Sequence, residues 1–179
     1  MLRVVLDTSS LISFALTTGD IMNQLMEAWY AKEFILLTST VTQRELARVL
    51  NRPWIRDRAK VPIDRLSADV VKFSEKTPGL LDLGGACRDT KDEKFLVCAV
   101  EGKAHYLVSS DRDLLDIGRF RDTCILNPGQ FLVALRLRQM TPTDMRRRYS
   151  IEALQTIQRG LCLEGETAAK VAQAILASN

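Results

Sequence analysis

The chain has 179 residues, of which 46% are hydrophobic, and its formal net charge is +3. This size allows one globular domain with a well-buried core, and the small net charge means that any nucleic-acid-binding surface must be a local concentration of basic residues. Four cysteines without a CxxC pair and a single histidine, His105, predict neither a zinc site nor a disulfide framework. No stretch approaches the roughly 18 uncharged apolar residues of a membrane span. These features exclude a membrane protein, and we expect a cytoplasmic one.

Strand and helix patterns alternate from the beginning of the chain. Leu2 to Leu6 is a short apolar run that breaks at Asp7-Thr-Ser-Ser, which is typical of a buried strand followed by a helix N-cap. Capping-box patterns at Thr40-Val-Thr-Gln43 and Asn127-Pro-Gly-Gln130 each predict the start of a helix. The predicted strands are 2–6, 34–37, 105–109 and 123–126. The predicted helices are a segment ending near 31, then 40–50, 62–74, 91–100, 112–117 and one beginning at 128, while 80–86 is compatible with strand or loop.

This alternation predicts an α/β fold, in which a mostly parallel sheet is covered by helices on both faces. From Thr141 onward only helical patterns remain, beginning at Thr141-Pro142 and at Ser150 and ending with a helix over 166–176. We therefore predict a domain over residues 1–140 and a helical extension over 141–179. The extension either packs on the domain or serves as an interface.

Acidic residues directly follow two of the predicted strands. Asp7 comes after the first strand, and Asp111 follows the strand that ends at Ser109, with Asp113 two residues later. Because parallel α/β sheets bind ligands outside the carboxyl ends of their strands, these acids are the first candidates for a functional site. Taken singly, Asp7 and Asp111 are also explained as caps of the helices that follow them.

Three more acids lie on predicted helices. Glu45 lies on an otherwise apolar stripe of its helix, although it could instead pair with Arg48 at the surface. Asp92 and Glu93 occupy the first turn of another helix, where the helix dipole favours negative charge whatever their function. Carboxylates that converge in one site repel one another unless a cation compensates. Oxygen ligands with almost no histidine favour Mg²⁺ or Mn²⁺ over zinc, and such an ion supports phosphodiester cleavage.

Four segments that contain these acids resemble the PIN-domain family of ribonucleases, in particular the toxins of toxin-antitoxin pairs. The segments are Val-Val-Leu-Asp7-Thr-Ser-Ser-Leu-Ile, Thr-Gln-Arg-Glu45-Leu-Ala-Arg-Val-Leu, Arg88-Asp-Thr-Lys-Asp-Glu93-Lys-Phe-Leu and Tyr106-Leu-Val-Ser-Ser-Asp111-Arg-Asp-Leu-Leu. They occur in the family's order and at suitable separations, and the resemblance covers roughly residues 2 to 135. It implies a three-layer α/β/α fold around the mostly parallel sheet, with residues 1–140 as the nuclease domain.

The resemblance implies roles for these residues by position. The candidate catalytic and metal-binding acids are Asp7, Glu45, Glu93 and Asp111, with Asp92 and Asp113 as additional candidate ligands. Ser109 falls where the family commonly has a small hydroxyl residue near the attacking water. Two positions depart from the family, because Glu93 stands where aspartate is usual and Ser9 where asparagine is usual.

The resemblance also implies an activity and partners. The activity is Mg²⁺- or Mn²⁺-dependent endonucleolytic cleavage of single-stranded or structured RNA. The partners are the RNA, a cognate antitoxin protein and further copies of the chain in a homodimer or higher homo-oligomer.

A basic and aromatic stretch follows Glu45. Its residues are Arg48, Arg52, Trp54, Arg56, Arg58 and Lys60. Because such cations neutralise phosphates and tryptophan stacks on bases, the stretch is a candidate RNA-binding surface. A solvated helix end with Trp54 packed in the core is the simpler explanation of the same residues. Arg146-Arg147-Arg148 is a second basic cluster, which a solvated helix face explains more readily.

Two other functions are compatible with the sequence. A catalytically weakened PIN-fold module that binds RNA or protein is favoured by Glu93 and Ser9. A phosphoaspartyl hydrolase or phospho-acceptor domain would also place an acid such as Asp7 after the first strand. It would usually need a lysine after a later strand, where this chain has Asp111, so the nuclease is the function that the sequence favours.

Overall fold

The computed structural model describes residues 1–17, 19–85 and 90–177. The chain forms two compact units, Met1–Pro128 and Gly129–Asn179. The units meet at Pro128, whereas the sequence predicted a boundary at residue 140. The two boundaries differ by one helix, Pro128–Gln139. The division into a nuclease domain and an extension therefore remains a prediction.

A six-stranded sheet forms the centre of the first unit. Its strands are β1 (Leu2–Leu6), β2 (Phe34–Ser39), β3 (Glu75–Thr77), β4 (Tyr106–Val108), β5 (Arg119–Phe120) and β6 (Thr123–Leu126). Their order across the sheet is β3-β2-β1-β4-β6-β5, and every neighbouring pair is parallel except β5 with β6. Val4, Leu36 and Leu107 are fully buried, as expected for central strands with both faces covered.

Helices connect these strands and cover the sheet. They are α1 (Thr8–Leu16), α2 (Asp20–Tyr30), α3 (Thr40–Leu50), α4 (Pro53–Arg56), α5 (Ile63–Phe73), α6 (Glu93–Glu101) and α7 (Arg112–Leu115). The connections through α1 to α5 run from β1 to β2 to β3, whereas α6 leads back to β4. Because crossovers between parallel strands are right-handed, helices of these two sets cover opposite faces. The expected three-layer α/β/α architecture is confirmed.

The core beneath α6 shows why this helix packs where it does. Phe95, Leu96 and Ala99 lie on one side of α6 and are buried in a cluster with Leu37 and Leu107 from the sheet. The apolar spacing of three and four residues places these side chains on one helix face. This packing fixes the start of α6 relative to the strands.

The strand order reverses between β1 and β4, which makes this pair the topological switch point of the sheet. The Asp7 N–H donates to the Val108 carbonyl at 3.0 Å. The carboxyl ends of β1 and β4 therefore lie side by side. Ligands of open α/β sheets bind in the crevice at the carboxyl ends of such a pair. α6 begins at the same edge, because a helix that links parallel strands runs antiparallel to them.

The second unit consists of helices in its described part. They are α8 (Pro128–Gln139), α9 (Pro142–Arg148), α10 (Ile151–Gly160) and α11 (Gly165–Leu176). The predicted starts at Thr141 and Ser150 are confirmed, since each side chain caps the following helix. α11 packs against both α9 and α10 and buries Met145, Leu154 and Val171.

Local differences from the sequence predictions have simple causes. β3, β5 and α4 have two to four residues each and were not predicted, because segments this short show no periodicity. The capping box predicted at Thr40 is wrong by one residue, since Ser39 is the N-cap and pairs with Thr42. Residues 80–85 form a loop, and residue 86 of that ambiguous segment lies outside the described residues.

The cysteines correct one expectation. Cys98 is a buried free thiol, whereas Cys124 and Cys162 are disulfide-bonded. The expectation of a chain without disulfides is therefore wrong, because spacing along the sequence does not reveal disulfide bonding. A cytoplasmic location remains a prediction that the cysteines no longer support. In the ranges that the structure describes, no helix has the length and apolar character needed to cross a lipid bilayer.

Candidate active site

Asp7 lies at the switch point, directly after β1, and is only 2% exposed. Its Oδ1 accepts the Ser10 N–H at 2.7 Å and so caps α1. Its Oδ2 accepts two hydroxyl groups, from Ser9 at 2.7 Å and from Ser109 at 2.5 Å. Asp7 is therefore a helix cap, as one interpretation of the sequence held, but capping engages only one of its oxygens. Three donors hold this buried carboxylate in a fixed orientation.

Ser9 stands where the resemblance led us to expect asparagine. Its hydroxyl donates to Asp7 in the structure, so a hydrogen bond to this acid is present with serine at the position. Oδ2 of Asp7 therefore keeps a donor at this position despite the departure from the family.

Ser109 links Asp7 to the end of β4. The serine is fully buried, and its hydroxyl donates to Asp7 and accepts the Asp111 N–H at 2.9 Å. Asp111 in turn accepts the Asp113 N–H at 2.8 Å and caps α7. The residues that follow two adjacent strands are thus joined through one hydroxyl group. Asp111 is exposed, so its carboxylate is open to solvent at this edge.

Glu45 projects from α3 toward α6. Its Oε2 lies 2.7 Å from Nζ of Lys94, and the two side chains are 22% and 14% exposed. The suggested alternative, a surface pair with Arg48, is therefore wrong, because the partner comes from another helix. Lys94 lies in the first turn of α6, so the pair brings Glu45 toward the carboxyl edge of the sheet.

Glu93 and Asp92 are half-buried at the start of α6. The Glu93 carboxylate accepts the Gly85 N–H at 3.0 Å. Asp92 occupies the N-cap position. Residues 86–89, with which the third resembling segment begins, lie outside the described residues.

The type of donor atom in these side chains fits a hard divalent cation, since every candidate ligand offers oxygen. Their arrangement fits less well. No three acidic, histidine or cysteine side chains within residues 1–17, 19–85 and 90–177 lie close enough together to hold one metal ion. Glu45 is engaged by Lys94, and Glu93 is engaged by Gly85. The gathering of all four acids around one ion therefore stays a prediction.

The described loop segment 79–85 is anchored to α6 at two places. Glu101, at the end of α6, accepts the N–H groups of Gly79, Leu80 and Leu81. Burial opposes ionisation of this glutamate, but the backbone donors outweigh it and lower its pKa. Gly85, the last residue described before residue 90, donates to Glu93. Sequence patterns did not single out Glu101, because its partners are backbone groups that no motif records.

A cavity of about 220 Å³ lies beside this loop. Its polar lining includes Ser39, Asp82, Thr90, Glu93 and Lys94, and its apolar lining includes Val41, Leu81, Leu83 and Val97. Glu93 and Lys94, which pairs with Glu45, therefore face one cavity. Lys94 was also missed from the sequence, although it directly follows Glu93 in the third segment.

The basic and aromatic stretch lies along and beyond the end of α3. Trp54 is 47% exposed, so the explanation that it packs in the core is wrong. The Lys60 N–H donates to the Ala15 carbonyl near the end of α1, which leads away from the carboxyl edge. At 1.5 Å per helical residue, the end of α3 at Leu50 lies about 7 Å further from that edge than Glu45. All six residues of the stretch are exposed, and RNA binding by them remains a proposal.

The fold and this edge define a class of protein. It is a three-layer α/β protein with acidic side chains after the two adjacent strands of its switch point. A family model described as PIN domain matches residues 3–113, which include Asp7, Glu45, Glu93 and Asp111. The chain belongs to the PIN-domain family, whose members are generally metal-dependent nucleases. A search of curated proteins found none that matches this chain.

Proposed function

We propose that this protein is a metal-dependent endoribonuclease that cleaves single-stranded or structured RNA. The observation that carries the proposal is the link from Asp7 through the Ser109 hydroxyl to Asp111 at the switch point. A buried carboxylate held by three donors is preorganised, which is what a catalytic ligand requires. Family membership supports a nuclease, and the choice of RNA is our proposal.

Each candidate residue has a role in this proposal. Asp7 and Asp111 are the residues that would hold a Mg²⁺ or Mn²⁺ ion, with Glu45, Glu93, Asp92 and Asp113 as further candidate ligands. Such an ion would supply positive charge at the scissile phosphate and a water of lowered pKa. Ser109 orients Asp7 and lies beside the expected position of the attacking water. For Glu45 to take part through Oε2, that oxygen must leave Lys94, whose ammonium group would then be available to a phosphate oxygen.

We further propose that the nuclease is the toxin of a toxin-antitoxin pair. The support is the sequence resemblance of the four acidic segments to such toxins. A cognate antitoxin protein and a homodimer or higher homo-oligomer follow from the same resemblance. The gene next to this one tests the proposal, because a toxin is expected to have a small neighbouring gene for its antitoxin, and purification of the pair as one complex would support it.

Cleavage of labelled single-stranded RNA with and without Mg²⁺ tests the nuclease. We expect Asp7→Asn to reduce the cleavage rate by more than about 100-fold, since even residues that only support a metal ligand typically contribute 10-fold to 100-fold. Asp20→Asn is the matched control, because Asp20 is exposed in the first turn of α2, away from the site. Equal rates for the wild type and Asp7→Asn would refute the proposal.

A second candidate function is an RNA- or protein-binding module with weakened catalysis. The ion pair between Glu45 and Lys94 favours it, because this lysine already neutralises one of the four acids. Calorimetric titration with Mn²⁺ separates the two candidates. Heat of binding that is present in the wild type and lost in Asp7→Asn supports the nuclease, whereas RNA binding without any Mn²⁺ signal supports the module.

A further inference from the structure

The positive charge of this chain is unequally divided between its two units. Residues 1–128 contain 18 basic residues (lysine or arginine) and 18 acidic ones (aspartate or glutamate). Residues 129–179 contain 7 basic and 4 acidic residues. The whole formal excess of +3 therefore belongs to the second unit. A small net charge for the chain hides a neutral unit and a basic one.

Two acids of the second unit already have cationic neighbours. Glu166 pairs with Lys170 at 2.5 Å, and its pKa is lowered by that lysine and, to a smaller extent, by Arg138. Asp144 accepts the Thr141 hydroxyl, and Arg147 contributes to the lowering of its pKa. Arg146 and Arg148 of this unit have no acidic partner among the residues that the structure describes.

Three consecutive arginines, Arg146, Arg147 and Arg148, form what we call the arginine corner at the end of α9. All three are exposed. Successive helical residues differ by about 100° around the axis, so the three side chains spread over roughly 200°. Arg146 donates to the Ala177 carbonyl at 3.3 Å, whereas neither Arg146 nor Arg148 makes an ion pair within the described residues.

The backbone beneath the arginine corner is well anchored. A capping box at Thr141 starts α9, and the Ser150 hydroxyl accepts the Ala153 N–H to start α10. Met145 and Leu154 are fully buried on either side of the corner. The unit thus presents three long cationic side chains from the anchored last turn of α9.

Helix stabilisation alone does not account for this cluster. One cation near a helix C-terminus stabilises the helix only modestly, and the effect is limited to the last turn. α9 has only seven residues, and a third adjacent arginine adds repulsion among like charges. A binding partner with closely spaced negative charges would offset that repulsion.

Resting on the proposed action on RNA, we propose that the arginine corner binds the phosphate backbone of the RNA substrate. Guanidinium groups bind phosphate oxygens in pairs and give up water more readily than ammonium groups. A protein partner would more often engage exposed aromatic or methionine anchors, yet Phe131 and Met145 are buried and Tyr149 is only partly exposed. Phosphates are therefore the better match to this surface than an acidic protein.

The proposal is tested by measuring the binding of fluorescein-labelled single-stranded RNA in EDTA. Because EDTA removes divalent ions, binding is measured without cleavage. The variant is Arg146→Gln, Arg147→Gln and Arg148→Gln together, and the charge-matched control is Arg65→Gln, Lys72→Gln and Lys76→Gln in the first unit. We expect the first triple to lower the slope of log affinity against log salt concentration by about 2, since each phosphate contact on a single strand contributes about 0.7. Equal losses in both triples would overturn the proposal, because net charge alone would then explain them.

Two further measurements keep the outcomes distinct. Arg148→Gln alone removes a side chain whose contacts do not hold the fold, and we expect it to lower the slope by about 0.7. An unchanged slope, with an unchanged thermal unfolding midpoint, would overturn the proposal. Displacement of the RNA by a polyglutamate peptide at equal charge concentration would assign the corner to an acidic protein instead. If Asp7→Asn cleaved RNA normally, the nuclease would fail while the binding result would still stand.

Discussion

At the residue scale, the orientation of the Asp7 carboxylate depends on two hydroxyl groups that are far apart in the sequence. Ser9 lies two residues away and Ser109 lies 102 residues away, yet both donate to the same carboxylate oxygen. Burying a carboxylate costs free energy unless hydrogen-bond donors replace the water that it loses. These serines therefore supply hydrogen bonds to an acid that is only 2% exposed.

Ser109→Ala should weaken both the site and the fold. Loss of the hydroxyl removes a hydrogen bond to a buried charge, and we expect the free energy of unfolding to fall by about 1–3 kcal/mol. Cleavage should fall by about 10-fold to 100-fold, because Asp7 loses the group that orients it. Urea unfolding and RNA cleavage measure the two effects. Ser110→Ala, at the exposed neighbouring position, should change neither, and the same losses there would contradict the assigned role.

Lys94→Met should raise the affinity for Mn²⁺. Removing the ammonium group frees the Glu45 carboxylate and takes a positive charge away from the candidate acids. We expect the affinity to rise by about tenfold, which corresponds to 1.4 kcal/mol. Calorimetric titration measures the change, and Lys72→Met on α5 controls for net charge. An affinity that does not change would show that Glu45 is not a ligand.

At the scale of secondary structure, α6 carries a glutamate at each end that holds the preceding loop. Glu101 binds the beginning of the loop and Glu93 binds Gly85. The helix thus positions both Lys94 and one side of the cavity beside it. The loop has no regular structure of its own, so we expect its order to depend on these carboxylates.

Acid should release this loop before it unfolds the sheet. The pKa of Glu101 is lowered from its ordinary value of 4.5, so the folded state favours the ionised form. Its contribution to stability is therefore complete above about pH 4.5 and is lost as the pH falls through the lower, folded-state pKa. Hydrogen exchange of the Gly79 to Leu81 amides measures the release.

Glu101→Gln should mimic the acid effect at neutral pH. We expect faster exchange of the same amides, whereas the β1 and β4 amides should keep their protection because the sheet does not depend on this side chain. The control is Glu33→Gln, which changes the same charge in another part of the unit. Unchanged exchange in Glu101→Gln would contradict the anchoring role.

At the scale of the whole molecule, a neutral unit with an acidic edge is joined in one chain to a basic helical unit. The acids attract cations, and the arginines attract phosphates. An RNA-cleaving enzyme needs both properties. Their separation into two units explains why the overall charge of the chain gives no indication of either.

Mn²⁺ should stabilise the folded protein if the candidate acids bind it. A ligand that binds only the folded state contributes about 2.7 kcal/mol at 100 times its dissociation constant. We expect the thermal unfolding midpoint of the wild type to rise with Mn²⁺ and that of Asp7→Asn to rise much less. An equal rise in both proteins would place the ion elsewhere.

The sequence by itself determined the fold class and the positions of the main strands. β1, β2 and β6 appear as apolar runs, and α3 appears as a capped helix, because periodicity and capping are local properties. It also placed Asp7 directly after β1 and Asp111 shortly after β4, three residues beyond its last residue. β3 and β5 could not be predicted, because two or three residues become a strand only by pairing with a neighbour.

Only the tertiary structure decided which side chains meet. It placed β1 beside β4, joined Asp7 to Ser109, and paired Glu45 with Lys94, although nothing in the local pattern singled out Lys94 or Glu101. The physical reason is that a hydrogen bond or ion pair depends on distances of a few ångströms in space. Residues 102 positions apart reach those distances only after the sheet has formed.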